Sequence, residues 1–296
     1  MNSLNTKALA LLQLELESWA TAHNNFENLK NVEVKSLDFD GFSVEIHFNQ
    51  SRMLSAAAKL DANSIIERKC FLCSKNRPAE QHSTDCEYFE LLVNPYPIFP
   101  QHFTIASKQH EPQNIESYFP DFLNFTKQLS DFVVFFNAAG CGASAPDHLH
   151  FQAGTKNFLP LIKDYKNLKQ KNAKLFFSTN DYEIFLLENY LRKVFCIETA
   201  NAESARQAFD FMINTNMIDT NKMNLVATFE NDKFFIFIFP RHTFRPRQFF
   251  AENEQERLLI SPGSVEMSGI LITPIKAHFD KITKTDVISI YEQVGG

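Results

Sequence analysis

The sequence lacks any long apolar run. No stretch approaches the ~20 consecutive apolar residues that a membrane-spanning helix requires. The segment 8–12 is apolar, but Glu15 and Glu17 soon interrupt it, and no cleavage-site pattern follows. We therefore expect no membrane association and no targeting segment, and we predict a cytoplasmic location.

The sequence also has fewer basic than acidic residues. The chain has 29 lysines and arginines against 35 acidic residues, which gives a formal net charge of −6. Because general nucleic-acid binding needs a basic face, we expect no nucleic-acid partner. A small anionic substrate stays open, since local arginines and lysines can outweigh the average charge.

Cysteine and tryptophan are rare as well, with five and one among 296 residues. Few cysteines suit a reducing cytosol rather than a disulfide framework. The aromatic content comes instead from 31 phenylalanines, which predicts a core rich in aromatic contacts. At this length the chain can bury a large core, as one domain or as two intimate halves.

The hexapeptide 147–152, Asp-His-Leu-His-Phe-Gln, is the most informative segment. In an extended strand His148, His150 and Gln152 share one face. A neutral imidazole is a good nucleophile toward phosphorus and a good zinc ligand, and a carboxamide can donate to a phosphoryl oxygen. The alternative is a half-exposed strand with incidental polar residues. The neighbouring segments of the sequence are needed to choose between the two interpretations.

One Cys-x-x-Cys pair, Cys70 and Cys73, lies upstream. The two-residue gap lets both thiolates reach one tetrahedral zinc. His110 ends a strand-like run, and with His148 it would complete a Cys2His2 site that joins three segments. The alternative is a redox or incidental pair of thiols, but no thioredoxin-type pattern surrounds it. We expect a structural zinc.

Two glycines, Gly140 and Gly142, precede the histidine strand. Glycine lets the backbone approach a phosphate closely, and its N–H group can face phosphate oxygens. The alternative is a plain turn before a strand.

Together these segments resemble the histidine triad superfamily, in its nucleotidyltransferase and phosphorylase branch. Relatives there include galactose-1-phosphate uridylyltransferase, GDP-L-galactose phosphorylase and the dinucleoside tetraphosphate phosphorylases. The resemblance rests on residues 70–77 (Cys-Phe-Leu-Cys-Ser-Lys-Asn-Arg), on residues 94–110, which end in Lys-x-His, and on residues 137–152, a glycine-rich approach to His-x-His-x-Gln.

The resemblance implies roles for individual residues. His150 would be the nucleophile that takes a nucleoside monophosphate onto its ring, and Gln152 would hydrogen-bond the phosphoryl group. A glutamine in place of a third histidine favours a transferase or phosphorylase over a hydrolase. Asn137 and Ser144 would contact phosphate oxygens, although Ser144 lies one residue further from the histidines than in the uridylyltransferases. Asn94 would contact the nucleotide.

Arginines supply further candidates for substrate binding. Arg241 and Arg245 belong to a basic cluster just beyond a strand-like run, and arginine forks suit phosphate oxygens. A surface loop with solvated charges is the alternative. Arg52 and Arg77 are candidates too, and Arg52 could equally be a surface charge.

The fold prediction is α+β, with antiparallel sheets, helices on one face and two related halves. Residues 1–165 would form the half with the zinc and the catalytic motif, and residues 166–296 the half that completes the substrate site. The periodicity predicts a helix over residues 114–138. The lysine-rich stretch 155–174 is predicted to be a solvated linker.

The predicted function is a nucleotidyltransferase or phosphorylase acting on a nucleoside diphosphate sugar through a nucleotidyl-histidine intermediate. GDP-hexose is the favoured substrate, and phosphate or a sugar phosphate the acceptor. One alternative is a phosphorylase or hydrolase of dinucleoside polyphosphates. Another is a zinc-containing nucleotide-binding protein without catalysis. A homodimer is compatible with the sequence.

Overall fold

The computed structural model describes residues 3–53 and 62–296. Its helices are α1 (Leu4–Ser18), α2 (Ala20–Asn28), α3 (Ala62–Glu67), α4 (Ile115–Gln128), α5 (Pro160–Asn172), α6 (Ala202–Asn214), α7 (Arg247–Phe250), α8 (Ser264–Met267), α9 (Lys276–Lys281) and α10 (Lys284–Val294). Its strands are β1 (Glu33–Phe39), β2 (Phe42–Phe48), β3 (Ser83–Cys86), β4 (Phe89–Val93), β5 (His102–Ser107), β6 (Phe132–Asn137), β7 (His150–Thr155), β8 (Ala173–Ser178), β9 (Tyr182–Leu187), β10 (Val194–Thr199), β11 (Met223–Glu230), β12 (Lys233–Pro240) and β13 (Ile270–Thr273).

Two related sets of strands form the main sheet. In the described part of the chain it has ten strands, in the order β3-β4-β5-β7-β6-β11-β12-β10-β9-β8. Strands β3–β7 form the first set, in the order β3-β4-β5-β7-β6 from the sheet edge to its middle. Strands β8–β12 form the second set, in the matching order β8-β9-β10-β12-β11 from the other edge to the middle. Each set has its long helix, α4 or α6, between its third and fourth strand. The predicted α+β class with two related halves is confirmed.

The two sets meet where β6 pairs antiparallel with β11, with Asn137 opposite Asn224. Helices α4 and α6 lie beside each other across this junction. The rings of Phe119 and Phe209, one from each helix, stack with centroids 4.0 Å apart. The junction is therefore a continuous sheet with a shared core.

Both faces of the main sheet are buried, which explains the phenylalanine-rich strands. Along β12, Phe234, Ile236 and Ile238 belong to the core under α1, α4 and α6. The alternating Phe237 and Phe239 belong to the core on the opposite face. That second face carries α5, α10 and a three-stranded sheet in the order β1-β2-β13, where β13 runs parallel to β2.

The predicted linker 155–174 is wrong over most of its length, because it contains helix α5. Leu161, Tyr165 and Leu168 are buried in the second core at helical spacing. Lys163 and Lys166 lie on the exposed side. The high lysine content masked a narrow apolar stripe along the helix. Residue 165, where the first predicted half ends, lies inside this helix.

The predicted helix 114–138 is also wrong at its end. Helix α4 ends at Gln128, and Phe132–Asn137 forms β6, with every residue buried. A short apolar run that is buried on both sides does not distinguish helix from strand by periodicity alone.

None of the helices within residues 3–53 and 62–296 has the length and apolar character needed to cross a membrane.

Substituting Leu168 tests whether α5 is part of the core. We expect Leu168→Ala to lower the free energy of unfolding by about 2–4 kcal/mol, because it removes a buried side chain. Lys166→Ala on the exposed side should change it by less than about 0.5 kcal/mol. Urea unfolding followed by circular dichroism measures both, and equal small effects would mean that this stretch is a solvated linker after all.

Candidate active site and metal centre

His150 and Gln152 line a cavity of about 860 Å³. Both lie on β7, which is held between β5 and β6 in the middle of the first half. Strand alternation sends the intervening Phe151 into the core under α4. The sequence pattern therefore predicted the correct face for both polar residues.

The ring of His150 is fixed through one nitrogen and open at the other. Its Nδ1 lies 2.8 Å from the carbonyl oxygen of His148. A carbonyl can only accept, so Nδ1 carries the proton and Nε2 the lone pair. Among the described residues Nε2 has no hydrogen-bond partner. Burial lowers the pKa of His150 to about 4, so the ring is neutral and nucleophilic at neutral pH.

Gln113 holds the start of the histidine strand, a role that the sequence did not reveal. Its Oε1 accepts from the backbone N–H of His150 at 3.0 Å. Its Nε2 donates to the carbonyl oxygens of both Asn137 and His150 at 3.2 Å. The same atom lies 3.2 Å from Nδ1 of His150, but the shorter 2.8 Å contact with the His148 carbonyl assigns the proton to Nδ1. Gln113 comes from the loop before α4, which has no recognisable motif.

His102 orients the amide of Gln152. The Nδ1 atom of His102 accepts from the backbone N–H of Ile98 at 3.1 Å, so Nε2 carries the proton. That nitrogen lies 3.2 Å from Oε1 of Gln152 and donates to it. The NH2 group of Gln152 consequently faces the cavity as a donor. Burial lowers the pKa of His102 to about 3, which keeps its ring neutral.

Asn137 is oriented in a similar way by the second half of the chain. Its Oδ1 accepts from the backbone N–H and the hydroxyl of Ser264, both at 2.7 Å, and from Nδ2 of Asn224 at 2.8 Å. The amide NH2 is the remaining group, and Asn137 lines the cavity. The predicted phosphate contact can therefore come only from its NH2 group.

Gly142 lies where two loops approach each other closely. Its φ of +101° belongs to the left-handed region, and a Cβ there would lie 2.7 Å from the Cα of Gly263. Any side chain would separate the loop of the first half from the segment that leads into α8 and Ser264. Gly142 and the nearby Ser144 both line the cavity.

Three further predicted residues lie in the cavity wall, namely Asn94, Arg52 and Arg245. The Nη1 atom of Arg52 donates to the carbonyl of Tyr96 at 2.8 Å. The Nε atom of Arg245 donates to the hydroxyl of Ser261 at 2.9 Å. Both guanidinium groups are therefore anchored in the wall of the cavity that contains His150.

The prediction that Arg241 binds substrate is wrong. Its side chain is buried, and all five of its N–H donors have protein acceptors. These acceptors are the carbonyls of Val294, Pro262, Thr243 and Phe244 and the Oδ1 of Asn224. A guanidinium has no sixth donor, so Arg241 joins the carboxyl-terminal segments to the sheet junction.

Arg77 is likewise not a substrate residue. Its guanidinium is buried and pairs with the carboxylate of Glu90 on β4. It does not line the cavity. Its position next to the cysteine segment in sequence therefore did not place it in the substrate space.

The four predicted metal ligands come together beside the cavity. The ligand atoms of Cys70, Cys73, His110 and His148 all lie within 4.8 Å of one another. Individual separations are 3.3 Å between Cys70 Sγ and His148 Nδ1, 3.4 Å between Cys73 Sγ and His110 Nδ1, and 3.3 Å between the two Nδ1 atoms.

These distances fit a tetrahedral zinc. Bond lengths of ~2.3 Å to sulfur and ~2.0 Å to nitrogen place neighbouring ligand atoms about 3.3–3.7 Å apart. His148 also has the correct tautomer, because its Nε2 lies 2.8 Å from the carbonyl of Ser107 and donates to it, leaving Nδ1 for a metal. Two thiolates and two imidazoles leave no open position, as in a structural site.

The environment of Cys70 favours its thiolate. Burial raises the pKa of the Cys70 thiol, but the adjacent imidazole of His148 and hydrogen bonds from the backbone N–H groups of Leu72 and Cys73 outweigh it and lower the pKa to about 6. The thiolate is the form that binds zinc.

Comparisons with known proteins give one match to a family model and several solved structures with a similar fold. Residues 11–155 match a family model described as a domain of unknown function (DUF4922). That match contains the metal ligands, His150 and Gln152. A comparison with curated proteins found no match.

Solved structures of yeast Ap4A phosphorylase Apa2 are similar over nearly the whole chain. One structure matches with a TM-score of 0.59, 15% identity and coverage of 93% of this chain and 96% of the other. The complex with Ap4A gives 0.60, 15% and 97% of both chains, and the complex with AMP gives 0.56, 16%, 92% and 93%. At this identity the similarity shows that the chain has the same overall fold as these structures.

Metal analysis tests the Cys2His2 centre. We expect about one zinc per chain by atomic absorption, and its removal by a chelator should lower the stability of the protein markedly. Cys73→Ala should lose the metal, because three ligands hold zinc far less tightly. Cys86→Ala, a thiol outside the cluster, should keep it. Equal zinc content in both variants would contradict the assignment.

Arg241 and its buried acceptors give a second test. Arg241→Lys keeps the charge but offers at most three donors for five acceptors. We expect it to lower the free energy of unfolding by about 2–5 kcal/mol, since buried carbonyls lose their partners. Urea unfolding measures this loss. An unchanged stability with a weakened substrate affinity would restore Arg241 to the substrate site.

Proposed function

We propose that the protein transfers a nucleoside monophosphate from a phosphoanhydride substrate to inorganic phosphate by way of His150. The observation that carries this proposal is the state of the His150 ring. It is neutral, it is held through Nδ1 by the His148 carbonyl, and it lines the cavity with the lone pair on Nε2. Such a nitrogen is suited to attack on phosphorus.

The chemistry is two displacements at one phosphorus atom. In the first, Nε2 of His150 forms a P–N bond to the α-phosphorus, and the P–O bond to the leaving phosphate or nucleotide breaks. In the second, an oxygen of the acceptor phosphate forms a P–O bond and the P–N bond breaks, which regenerates His150. The ring becomes positively charged in the intermediate, and the His148 carbonyl stabilises the retained Nδ1–H.

Three donors would bind phosphoryl oxygens during both steps. The amide NH2 of Gln152 is directed by His102, and that of Asn137 by Ser264 and Asn224. The backbone at Gly142 can approach the phosphate because no side chain intervenes. Fixed donors need no reorganisation as charge develops, which is how such sites accelerate phosphoryl transfer.

A dinucleoside polyphosphate is the substrate class that we favour. The cavity of about 860 Å³ is large enough for a nucleotide with further phosphate groups. The fold similarity to yeast Ap4A phosphorylase Apa2, which also has structures with Ap4A and with AMP, supports this class. The GDP-hexose preference drawn from the sequence has no such support, and a nucleotide sugar is the second candidate.

The zinc would have a structural role in this function. Its four protein ligands would hold residues 70–73, the end of β5 and the start of β7 in a fixed relation beside the cavity. The metal would thereby stabilise the strand that carries His150. The cytoplasmic location and the homodimer stay predictions.

Intact-mass spectrometry tests the proposal. We would mix the protein with diadenosine tetraphosphate, GDP-hexose, UDP-hexose or ADP-hexose and add no acceptor. We expect an adduct of one nucleoside monophosphate with at least one substrate, which disappears when phosphate is added. His150→Ala should form none, whereas His23→Ala, an exposed histidine on α2, should react normally.

The other outcomes separate the remaining functions. Free nucleoside monophosphate without an acceptor would indicate a hydrolase. Substrate binding without adduct or turnover, unchanged in His150→Ala, would indicate a nucleotide-binding protein. Either result would overturn the transfer mechanism.

A further inference from the structure

Arg68 connects the metal centre to the substrate cavity. It lies two residues before Cys70, and its side chain lines the same cavity as His150 and Gln152. The side chain is 22% exposed, so it is largely enclosed while still reaching the cavity.

Asp147 fixes the position of this guanidinium. Its carboxylate forms an ion pair with Nη2 of Arg68. The other oxygen of Asp147 lies 3.7 Å from Nε2 of His110. This is an ion-pair distance and not a hydrogen bond. Asp147 therefore contacts a metal ligand on one side and the cavity arginine on the other.

Phe71 supports the guanidinium from a second direction. The central carbon of the Arg68 guanidinium lies 5.2 Å from the centroid of this ring, within cation–π distance. Phe71 also lines the cavity. Phe71 lies between the two candidate cysteine ligands and Arg68 two residues before the first of them, so a bound metal would restrain the backbone of both.

The donors of Arg68 are only partly used. Nη2 contacts Asp147, whereas Nε is buried and has no hydrogen-bond partner. No hydrogen bond of the described residues involves Nη1. Arg241, by contrast, uses all five of its donors. Because the side chain of Arg68 lines the cavity and its Nη1 donors are unused, its guanidinium is suited to an anionic ligand there.

We infer that Arg68 binds the phosphate group of the substrate nucleotide beside His150, held in place by Asp147 and Phe71. This inference rests on the proposed nucleotide substrate. It adds a phosphate-binding residue that neither the sequence motifs nor the comparisons assign. The negative phosphate would accept from the Nη1 donors, which Asp147 does not engage.

Binding of nucleoside monophosphates and their nucleosides tests this role without turnover. We would measure AMP, GMP and UMP, with adenosine, guanosine and uridine, by isothermal titration calorimetry on the zinc-loaded protein. We expect Arg68→Gln to weaken binding of the preferred monophosphate about 10-fold to 100-fold, as for a lost charge-assisted hydrogen bond. Nucleoside binding should stay unchanged.

A matched control lies next to it in the chain. Lys69→Gln removes the same charge from a side chain outside the cavity, and it should alter neither affinity. Arg68→Lys should retain part of the monophosphate affinity, because it keeps the charge but loses the planar fork. Zinc content and melting temperature are measured for every variant.

Three results would overturn the role of Arg68. The first is a zinc-loaded, folded Arg68→Gln protein whose preference for monophosphate over nucleoside equals that of the wild type. The second is loss of zinc together with affinity in both Arg68 variants, which would make the residue structural. The third is a wild-type protein that binds no monophosphate better than its nucleoside. A missing covalent adduct, with phosphate selectivity intact, would instead reject transfer through His150 and leave Arg68 as a phosphate-binding residue.

Discussion

The candidate site depends on one residue, His148, which contacts both the metal-ligand cluster and the ring of His150. Its ring lies among Cys70, Cys73 and His110, and its backbone carbonyl accepts a hydrogen bond from the ring of His150. Any shift of the metal ligands would therefore move the acceptor that fixes the tautomer of the nucleophile. A metal at this position would rigidify the strand of His150 without contacting the substrate, which is how a closed four-ligand centre can matter to chemistry next to it.

The second half of the chain reaches the candidate site through buried polar contacts. Ser264 and Asn224 saturate the amide oxygen of Asn137 and thereby turn its NH2 group toward the cavity. Arg241 ties Asn224 to the carboxyl-terminal segments. Fully satisfied networks of this kind specify one arrangement, because every unpaired group in them would be costly. The two related halves consequently differ in role, since the first supplies the candidate nucleophile and the second orients its neighbours.

Short sequence patterns predicted those parts of the site that depend on strand alternation and on close spacing along the chain. Alternation placed His150 and Gln152 on one face, and the Cys-x-x-Cys spacing indicated a metal centre. Composition was a poorer guide. The lysines of residues 155–174 hid a helix, since a narrow apolar stripe is enough to bury α5 against a large core. The concentrated charge around Arg241 looked like a phosphate site, but its donors are all used inside the protein.

The sequence by itself indicated the α+β class and the candidate zinc ligands, because these follow from periodicities and spacings within short segments. The candidate nucleophile followed from the resemblance of such segments to a known superfamily. Only the tertiary structure decided which arginines reach the cavity and which way the amides point. His102 directs Gln152 from a neighbouring strand, and Arg68 and Asp147, 79 residues apart, meet beside the metal centre. Such contacts join residues that are distant along the chain, and no local pattern encodes the hydrogen-bond partners that a side chain will find there.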